Sequence, residues 1–260
     1  MSTPLFQVDA FTDRAFAGNP AGVCLLDGPA DAAWMQAVAA EVNVAETAFT
    51  FPIGDGRWSL RWFTPTVEVP LCGHATLATA HVLRSERAVP LPVTFDTASG
   101  DLRCDAFGDL LRLDLPANPP SPAEAPAAVI EALGVAPVAA ATAAGDWWLV
   151  EVASEAEVLA AAPDMAALGA ATANGVVVTA PGDEVPVVSR MFAPAIGIDE
   201  DPVTGAAHCL LAPWWAPRVG TSFPARQVSA RGGDVQVTLE GDRVLLGGAA
   251  VTVFRGELLG

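Results

Sequence analysis

Apolar and polar positions along this chain fall mostly into short runs of β-like character, with a few helical stretches between them. LFQVDAF, GVCLL, RWSLRWF, VTFDT, DLRCDAF and LLRLDL lie in the first half, and WWLVEV, GVVVTA, VVSRMF, RQVSA, DVQVTLE, RVLLGG and AVTVF in the second. Gly, Pro, Asp and Asn separate them, as expected of strands joined by turns. Helical patterns cover about Asp31–Glu41, Gly73–Ser85, Ala123–Leu133, Glu155–Ala161 and Thr204–Trp214. The mixture predicts an α+β protein.

Two of these helices have no polar face. The stretches from His74 to Leu83 and from Ala206 to Ala212 carry no charged residue, and a helix that is apolar all round is a buried helix. Among many short strands, this predicts one helix wrapped by strands in each half.

The halves also echo each other. Arg61-Trp62-Phe63-Thr64-Pro65 is matched by Arg190-Met191-Phe192-Ala193-Pro194, and the segment from Glu68 to Ala75 by that from Glu200 to Ala207, with one three-residue insertion in the second copy. Both copies run strand, Pro, turn, Pro, Gly, small-residue helix, which reads as a degenerate duplication. The Pro/Ala-rich stretch Leu115–Ala128 offers the boundary, since its prolines do not suit a sheet interior. The expected units are 1–116 and 117–260, with the last strand a candidate to return to the first.

Composition narrows the function. At 260 residues and 52% hydrophobic the chain can bury a sizeable core, yet no apolar run reaches the roughly 20 residues that span a bilayer. The start, MSTPLFQVDAF, has neither a basic nor an apolar leader region, which predicts a cytoplasmic protein. Cys24, Cys72, Cys104 and Cys209 are widely separated, disfavouring a disulfide framework or zinc knuckle. A net charge of −17 argues against nucleic acid as a partner. All 13 basic residues are arginine, so neither a pyridoxal-phosphate Schiff base nor a P-loop is available. Nor does any Gly-x-Gly-x-x-Gly follow a strand to mark a Rossmann dinucleotide site.

Candidate chemistry gathers at the two helix starts. A helix opening at Gly73 or Gly205 presents backbone N–H groups and a positive dipole end to a carboxylate or phosphate, although either glycine could equally serve only a tight turn. Glu46 stands among apolar neighbours, where burial would raise its pKa toward a range useful for proton transfer; the plainer reading is a helix-end glutamate. His74 and His81 are two helical turns apart, too far for joint metal ligation, and no third ligand pattern accompanies them, so no metal is expected. His74, at the helix start, could donate to a ligand, whereas His81 and His208 read as structural. Asp201 reads as a cap for the second helix, a role compatible with catalysis. Cys72 would be made acidic by the helix dipole, but its counterpart in the second copy is Thr204.

Taken together, Phe16-Ala17-Gly18-Asn19-Pro20-Ala21, Glu46-Thr47-Ala48-Phe49, Arg61 to Pro65, Pro70 to Thr76, Asp201 to Ala206 and Gln227 to Gly233 resemble the PhzF (phenazine biosynthesis) family over nearly the whole chain. The resemblance implies a diaminopimelate epimerase-like fold: two pseudo-symmetric halves, each a β-barrel-like sheet around a central helix, with the site in the cleft between them. It implies a cofactor-free isomerase that acts on a small carboxylate-bearing metabolite and assembles as a homodimer. In that comparison Glu46 is the general acid/base, with His74 and Asp201 contacting the substrate's polar groups. Backbone near Gly73, Thr204, Gly205 and Ala206 holds the carboxylate, and Asn19 and Cys72 shape the site. Ala45 and Ala206 stand where the family commonly has Ser, which leaves the substrate's identity open. A racemase or epimerase, and a non-catalytic small-molecule binder or interaction protein, are the competing readings.

Overall fold

The computed structural model describes residues 2–259. The chain forms two compact units, Met1–Asp114 with Gly247–Gly260, and Leu115–Leu246.

In the first unit β1 (Thr3–Ala10) pairs antiparallel with β2 (Asn19–Leu25). Helix α1 (Ala32–Val42) then carries the chain to β3 (Glu46–Gly54), parallel to β2. β4 (Arg57–Phe63) returns antiparallel to β3, and β5 (Glu68–Val69) folds back on its end. Helix α2 (Gly73–Arg87) crosses to β6 (Val93–Thr97), parallel to β4, and β7 (Gly100–Phe107) and β8 (Leu110–Pro116) follow antiparallel.

The second unit repeats this plan with extra helices. After β9 (Ser121–Pro122) and α3 (Ala127–Leu133) come antiparallel β10 (Ala139–Ala143) and β11 (Trp147–Glu151). Helices α4 (Glu155–Ala160) and α5 (Met165–Ala171) precede β12 (Val176–Pro181), parallel to β11, and β13 (Val187–Ala193) antiparallel to it. β14 (Ile198–Asp201) folds back on β13, α6 (Gly205–Val219) crosses, and β15 (Ser222–Gln227) runs parallel to β13 and antiparallel to β16 (Gly233–Glu240). β17 (Arg243–Gly248) then leads to β18 (Ala250–Leu258), which pairs antiparallel with β1 in the first unit.

The duplicated plan extends to side chains. Arg61 reaches Glu68 with Nε and Nη2 at 2.7 and 2.8 Å, and Arg190 reaches Glu200 with the same two nitrogens at 2.7 and 2.9 Å. Each guanidinium also lies over the phenylalanine two residues on, at 5.2 Å for Phe63 and 4.8 Å for Phe192. The extra residues of the second copy form a 3-10 turn, Pro194–Ile196, closed by Gly197 at φ +86°.

The apolar stretches of both central helices are buried, in α6 from Ala207 to Ala212. In α2 every residue from His74 to Ala80 is buried, along with Val82 and Leu83, and β1, β2, β3 and β18 pack against it. Small side chains let the strands come close: a Cβ on Gly248 would lie 2.4 Å from the Phe11 ring and 3.3 Å from Leu77. The buried hydroxyls of Thr76 and Thr79 donate to the carbonyls of Cys72 and Ala75 at 2.6 and 2.7 Å, so neither carries an unmet polar cost.

The strands of each unit are covered on their other face too. Helix α1, capped by Asp31 with bonds of 2.8 and 3.2 Å to the Ala33 and Trp34 N–H groups, packs Met35 and Ala39 on Cys24, Phe49 and Phe63. In β12, Val176, Val178 and Ala180 join the core formed with α3, α4 and α5, while Thr179 on the opposite face accepts from the Trp215 indole of α6 at 3.1 Å. Burial on both faces explains why VVVTAP is nearly continuous in apolar residues.

Four differences from the sequence reading have local causes. Helix α6 runs five residues past Trp214 despite Pro213 and Pro217; the Cys209 carbonyl that Pro213 leaves without its helical donor accepts from the Asn118 N–H at 3.0 Å. Helix α5 has too little sequence signal to read, being one short turn pair capped by Asp164. The segment ETAFTFPIG is strand β3, placing Glu46 at a strand start and not at a helix end. Thr47 to Thr50 are all buried, so the strand has no in–out alternation to read, and two of the four, Thr47 and Thr50, are polar. Finally, the strand read at RQVSA is shifted: β15 begins at Ser222 and ends at Gln227.

Candidate active site

Three elements of the first unit begin at one place. Strands β2 and β3 are parallel in the register Ala21 to Glu46, so Asn19 and Glu46 occupy neighbouring strand starts. Helix α2 starts beside them, with Cys72 at its N-cap and Gly73 and His74 in its first turn. His74 Nε2 lies 3.2 Å from Glu46 Oε2, and the two side chains are 6% and 13% exposed. On the ring's other side, Nδ1 lies 3.2 Å from the Asn19 amide nitrogen and 3.5 Å from Cys72 Sγ. The first intrahelical bond of α2 runs from Thr76 N–H to Cys72 O, so the earlier amides have no carbonyl one turn back.

The electrostatics differ from the sequence expectation at two residues. Burial by itself would raise the Glu46 carboxyl, but the facing His74 ring and Cys72 thiol outweigh it and hold the group below the usual carboxylate range. The Cys72 thiol moves the other way. Burial, followed by the nearby Glu46 charge, pushes it up to about 11 and overrides the helix dipole. Cys72 is therefore a neutral donor at neutral pH, not an activated nucleophile. For His74, burial would lower the pKa, and Cys72 and Glu46 together raise it well above the ordinary imidazole value. Asn19 suits either state of the ring: its amide nitrogen faces a Nδ1 that accepts, and the amide turned over presents Oδ1 to a Nδ1–H.

The second unit brings Asp201, Thr204, Gly205 and Ala206 to the start of α6. The Thr204 hydroxyl donates to Asp201 Oδ2 at 2.5 Å. Gln227, fully buried at the end of β15, accepts from Thr204 N–H at 2.9 Å and donates to the Asp201 carbonyl at 2.6 Å. Gln227 belongs to a motif that carries the family resemblance, but only tertiary structure shows that its amide ties a strand to a helix start. Deeper in α6, the fully buried His208 donates from Nδ1 to the Thr204 carbonyl at 2.8 Å, and burial lowers its pKa to about 4. His81, in α2, lies 3.0 Å from the Thr252 hydroxyl through Nε2.

One group bears on metals. Spacing along α2 offered no third ligand for His74, yet the fold gathers Glu46, Cys72 and His74 with ligand atoms all within 4.8 Å of one another. Among the described residues, no helix is long and apolar enough to cross a membrane.

Comparison with known proteins agrees with this architecture. An uncharacterized isomerase from Halalkalibacterium halodurans is 45% identical over 265 residues, covering 100% of this chain and 99% of that protein. The human phenazine biosynthesis-like domain-containing protein is 37% identical over 286 residues, with 99% of each covered. Among solved structures, a PhzF-family phenazine biosynthesis protein from Enterococcus faecalis superposes with a TM-score of 0.95 at 40% identity over 100% of both chains. A probable proline racemase from Agrobacterium radiobacter shares the fold alone, with a TM-score of 0.65 at 13% identity over 99% of this chain and 93% of that one. The PhzC-PhzF family pattern, described as phenazine biosynthesis-like protein, matches residues 8–256, and the chain belongs to that family.

Proposed function

We propose that the protein is a cofactor-independent isomerase that moves a proton between carbons of a small carboxylate-bearing metabolite. The observation that carries this reading is the secluded Glu46–His74 pair, 3.2 Å apart at the start of α2. With its carboxyl held below the usual range, Glu46 rests as a carboxylate and is ready to accept a proton from carbon. Protonated Glu46 then delivers that proton to a second carbon, so the cycle needs no net acid, base or redox partner. The cationic His74 ring beside it steadies the carboxylate before the transfer and donates to negative charge that develops on the substrate. Amides at the start of α2 are suited to a substrate carboxylate by direction and dipole. In the second unit the start of α6 has amides of the same kind at Gly205 and Ala206, beside Asp201 and a Thr204 whose N–H is held by Gln227. Relatives named as isomerases support the reaction class.

The test begins with small carboxylates screened for thermal stabilisation of the protein. Each hit is then incubated in heavy water, and deuterium at substrate carbon is read by mass spectrometry. Uptake with the wild type that disappears in a folded Glu46→Gln variant supports the proposal. Uptake that persists in Glu46→Gln removes Glu46 from the chemistry.

A further inference from the structure

The side chains at the start of α2 have donor atoms suited to more than proton transfer. We propose that Glu46, His74 and Cys72 form a binding site for Zn2+, and that the bound ion switches the proton chemistry off. The second half of this statement rests on the isomerase reading; the first does not.

Geometry supports a three-ligand site. Zinc bonds of about 2.0–2.3 Å in a tetrahedron put ligand atoms roughly 3.3–3.8 Å apart. Glu46 Oε2 and His74 Nε2 are 3.2 Å apart, and Cys72 Sγ is 4.0 Å from the same nitrogen. The carboxylate and imidazole are thus close to the required spacing, whereas the thiol, 3.5 Å from Nδ1 and 4.0 Å from Nε2, must swing about the Cys72 Cα–Cβ bond toward the Nε2 side to complete the set. All three come from buried or nearly buried positions at element starts, where the backbone is fixed by β3 and α2.

The surroundings fit as well. When Nε2 binds the metal, Nδ1 must carry the ring's proton, and a metal-bound histidine ordinarily gives that proton to a second partner. Asn19 already stands 3.2 Å from Nδ1, and with its carboxamide turned over it accepts through Oδ1. Charge balances too: a dication with one carboxylate and one thiolate is neutral, and the protons leaving the thiol and the imidazolium pass to solvent. That neutrality offsets the unfavourable positive end of α2. A thiolate ligand selects zinc and similar soft ions over magnesium or calcium. Three protein ligands leave a fourth position for water or a substrate oxygen. With Glu46 holding the ion, its lone pair no longer accepts a proton from carbon.

The experiment uses the full-length protein, stripped with a chelator and titrated with Co2+ as a spectroscopic probe. The expected result is one equivalent bound with a thiolate-to-cobalt charge-transfer band, displaced by Zn2+. The band should vanish in Cys72→Ala, and Zn2+ affinity should fall by about tenfold or more in Glu46→Gln. Thermal melts check that each variant is folded, and Cys72→Ser replaces Cys72→Ala if the latter is not. Deuterium uptake into substrate should fall with Zn2+ and return with chelator. Absence of the band in folded wild type overturns the site, as does a band unchanged by loss of Cys72, which would put the metal on another cysteine. Zinc binding without any uptake by the metal-free protein leaves the site standing and removes the isomerase reading; uptake without zinc binding does the opposite.

Discussion

At the start of α2 the side chains that face one another are a carboxyl, an imidazole and a thiol; at the start of α6 they are a threonine hydroxyl, an aspartate and a glutamine amide. The scaffolds beneath are alike. Each has an Arg–Glu clamp beside a back-folded strand and a 15-residue helix, and each helix has a side chain in its first turn that donates to the N-cap carbonyl. That donor is Thr76 in one copy and His208 in the other. The frame therefore does not choose the chemistry. Cys72 against Thr204 and His74 against Ala206 do, and they leave one helix start with groups whose pKa values are pulled apart and the other with a fixed hydrogen-bond staple. Since Cys72 has no thiol counterpart, a mechanism using two symmetric cysteines finds no support within the chain.

The largest effect expected from breaking this contrast is at Glu46. Glu46→Gln should reduce deuterium exchange into substrate by roughly 10²–10⁴-fold, while Asp201→Asn, which keeps an oxygen for the Thr204 hydroxyl, should cost at least about tenfold less. The reverse order would move proton transfer to the start of α6. Because Glu46 is held ionised opposite His74, the amide should also lower the melting temperature. A thermal melt of the same sample checks this, and a rise would show that burial dominates the pair after all.

Acid should then separate the two helices. His208 takes up a proton near its ordinary 6.5 when unfolded but only near 4 when folded, so the unfolded chain binds more protons in between. Stability is lost as pH falls through that window, by about 3 kcal/mol from this residue, and the loss levels off below it. Denaturant melts at pH 7 and pH 4.5 should show this slope in the wild type and a shallower one in His208→Leu. Equal slopes would mean that His208 is already charged in the fold.

A smaller contrast lies in the two clamps. Arg190 is more buried than Arg61 and also donates to the carbonyls of Val158, Leu159 and Ala161 at the end of α4. Arg190→Ala should cost about 2 kcal/mol and Arg61→Ala less than about 1 kcal/mol, by denaturant midpoint. Comparable losses would show that the carbonyl contacts contribute little. The mildest change should be Cys72→Ser. Its thiol is a neutral donor and serine donates equally well, so turnover should fall by no more than about tenfold. A loss matching that of Glu46→Gln in a folded protein would make the thiol a proton carrier.

Much of this could be read along the chain. Period-2 runs and turn residues mark most strands, and the all-apolar stretches mark α2 and α6 as buried, because both signals depend on near neighbours in sequence. The echo between Arg61–Ala75 and Arg190–Ala207 anticipated a repeated strand–turn–helix frame, and the three inserted residues appear as one 3-10 turn. Strand β3 is not legible because it is buried on both faces and carries threonines among its buried residues, and the full length of α6 is not because the Asn118 N–H that serves the Cys209 carbonyl lies far away in sequence.

For the site, sequence alone determined the residue types and the helix starts where they gather: Cys72, Gly73 and His74 in one copy, Thr204, Gly205 and Ala206 in the other. Only tertiary structure decided that Glu46 faces His74, that Gln227 ties Thr204 to β15, and that Glu46, Cys72 and His74 come within one metal ion's reach. Those pairings join residues 23 or more positions apart or depend on strand register. The direction of each pKa shift followed from the same contacts. Burial was foreseeable from the apolar neighbours of Glu46, but the charge that outweighs it arrives from another element, and Coulomb energy depends on distance through space rather than along the chain.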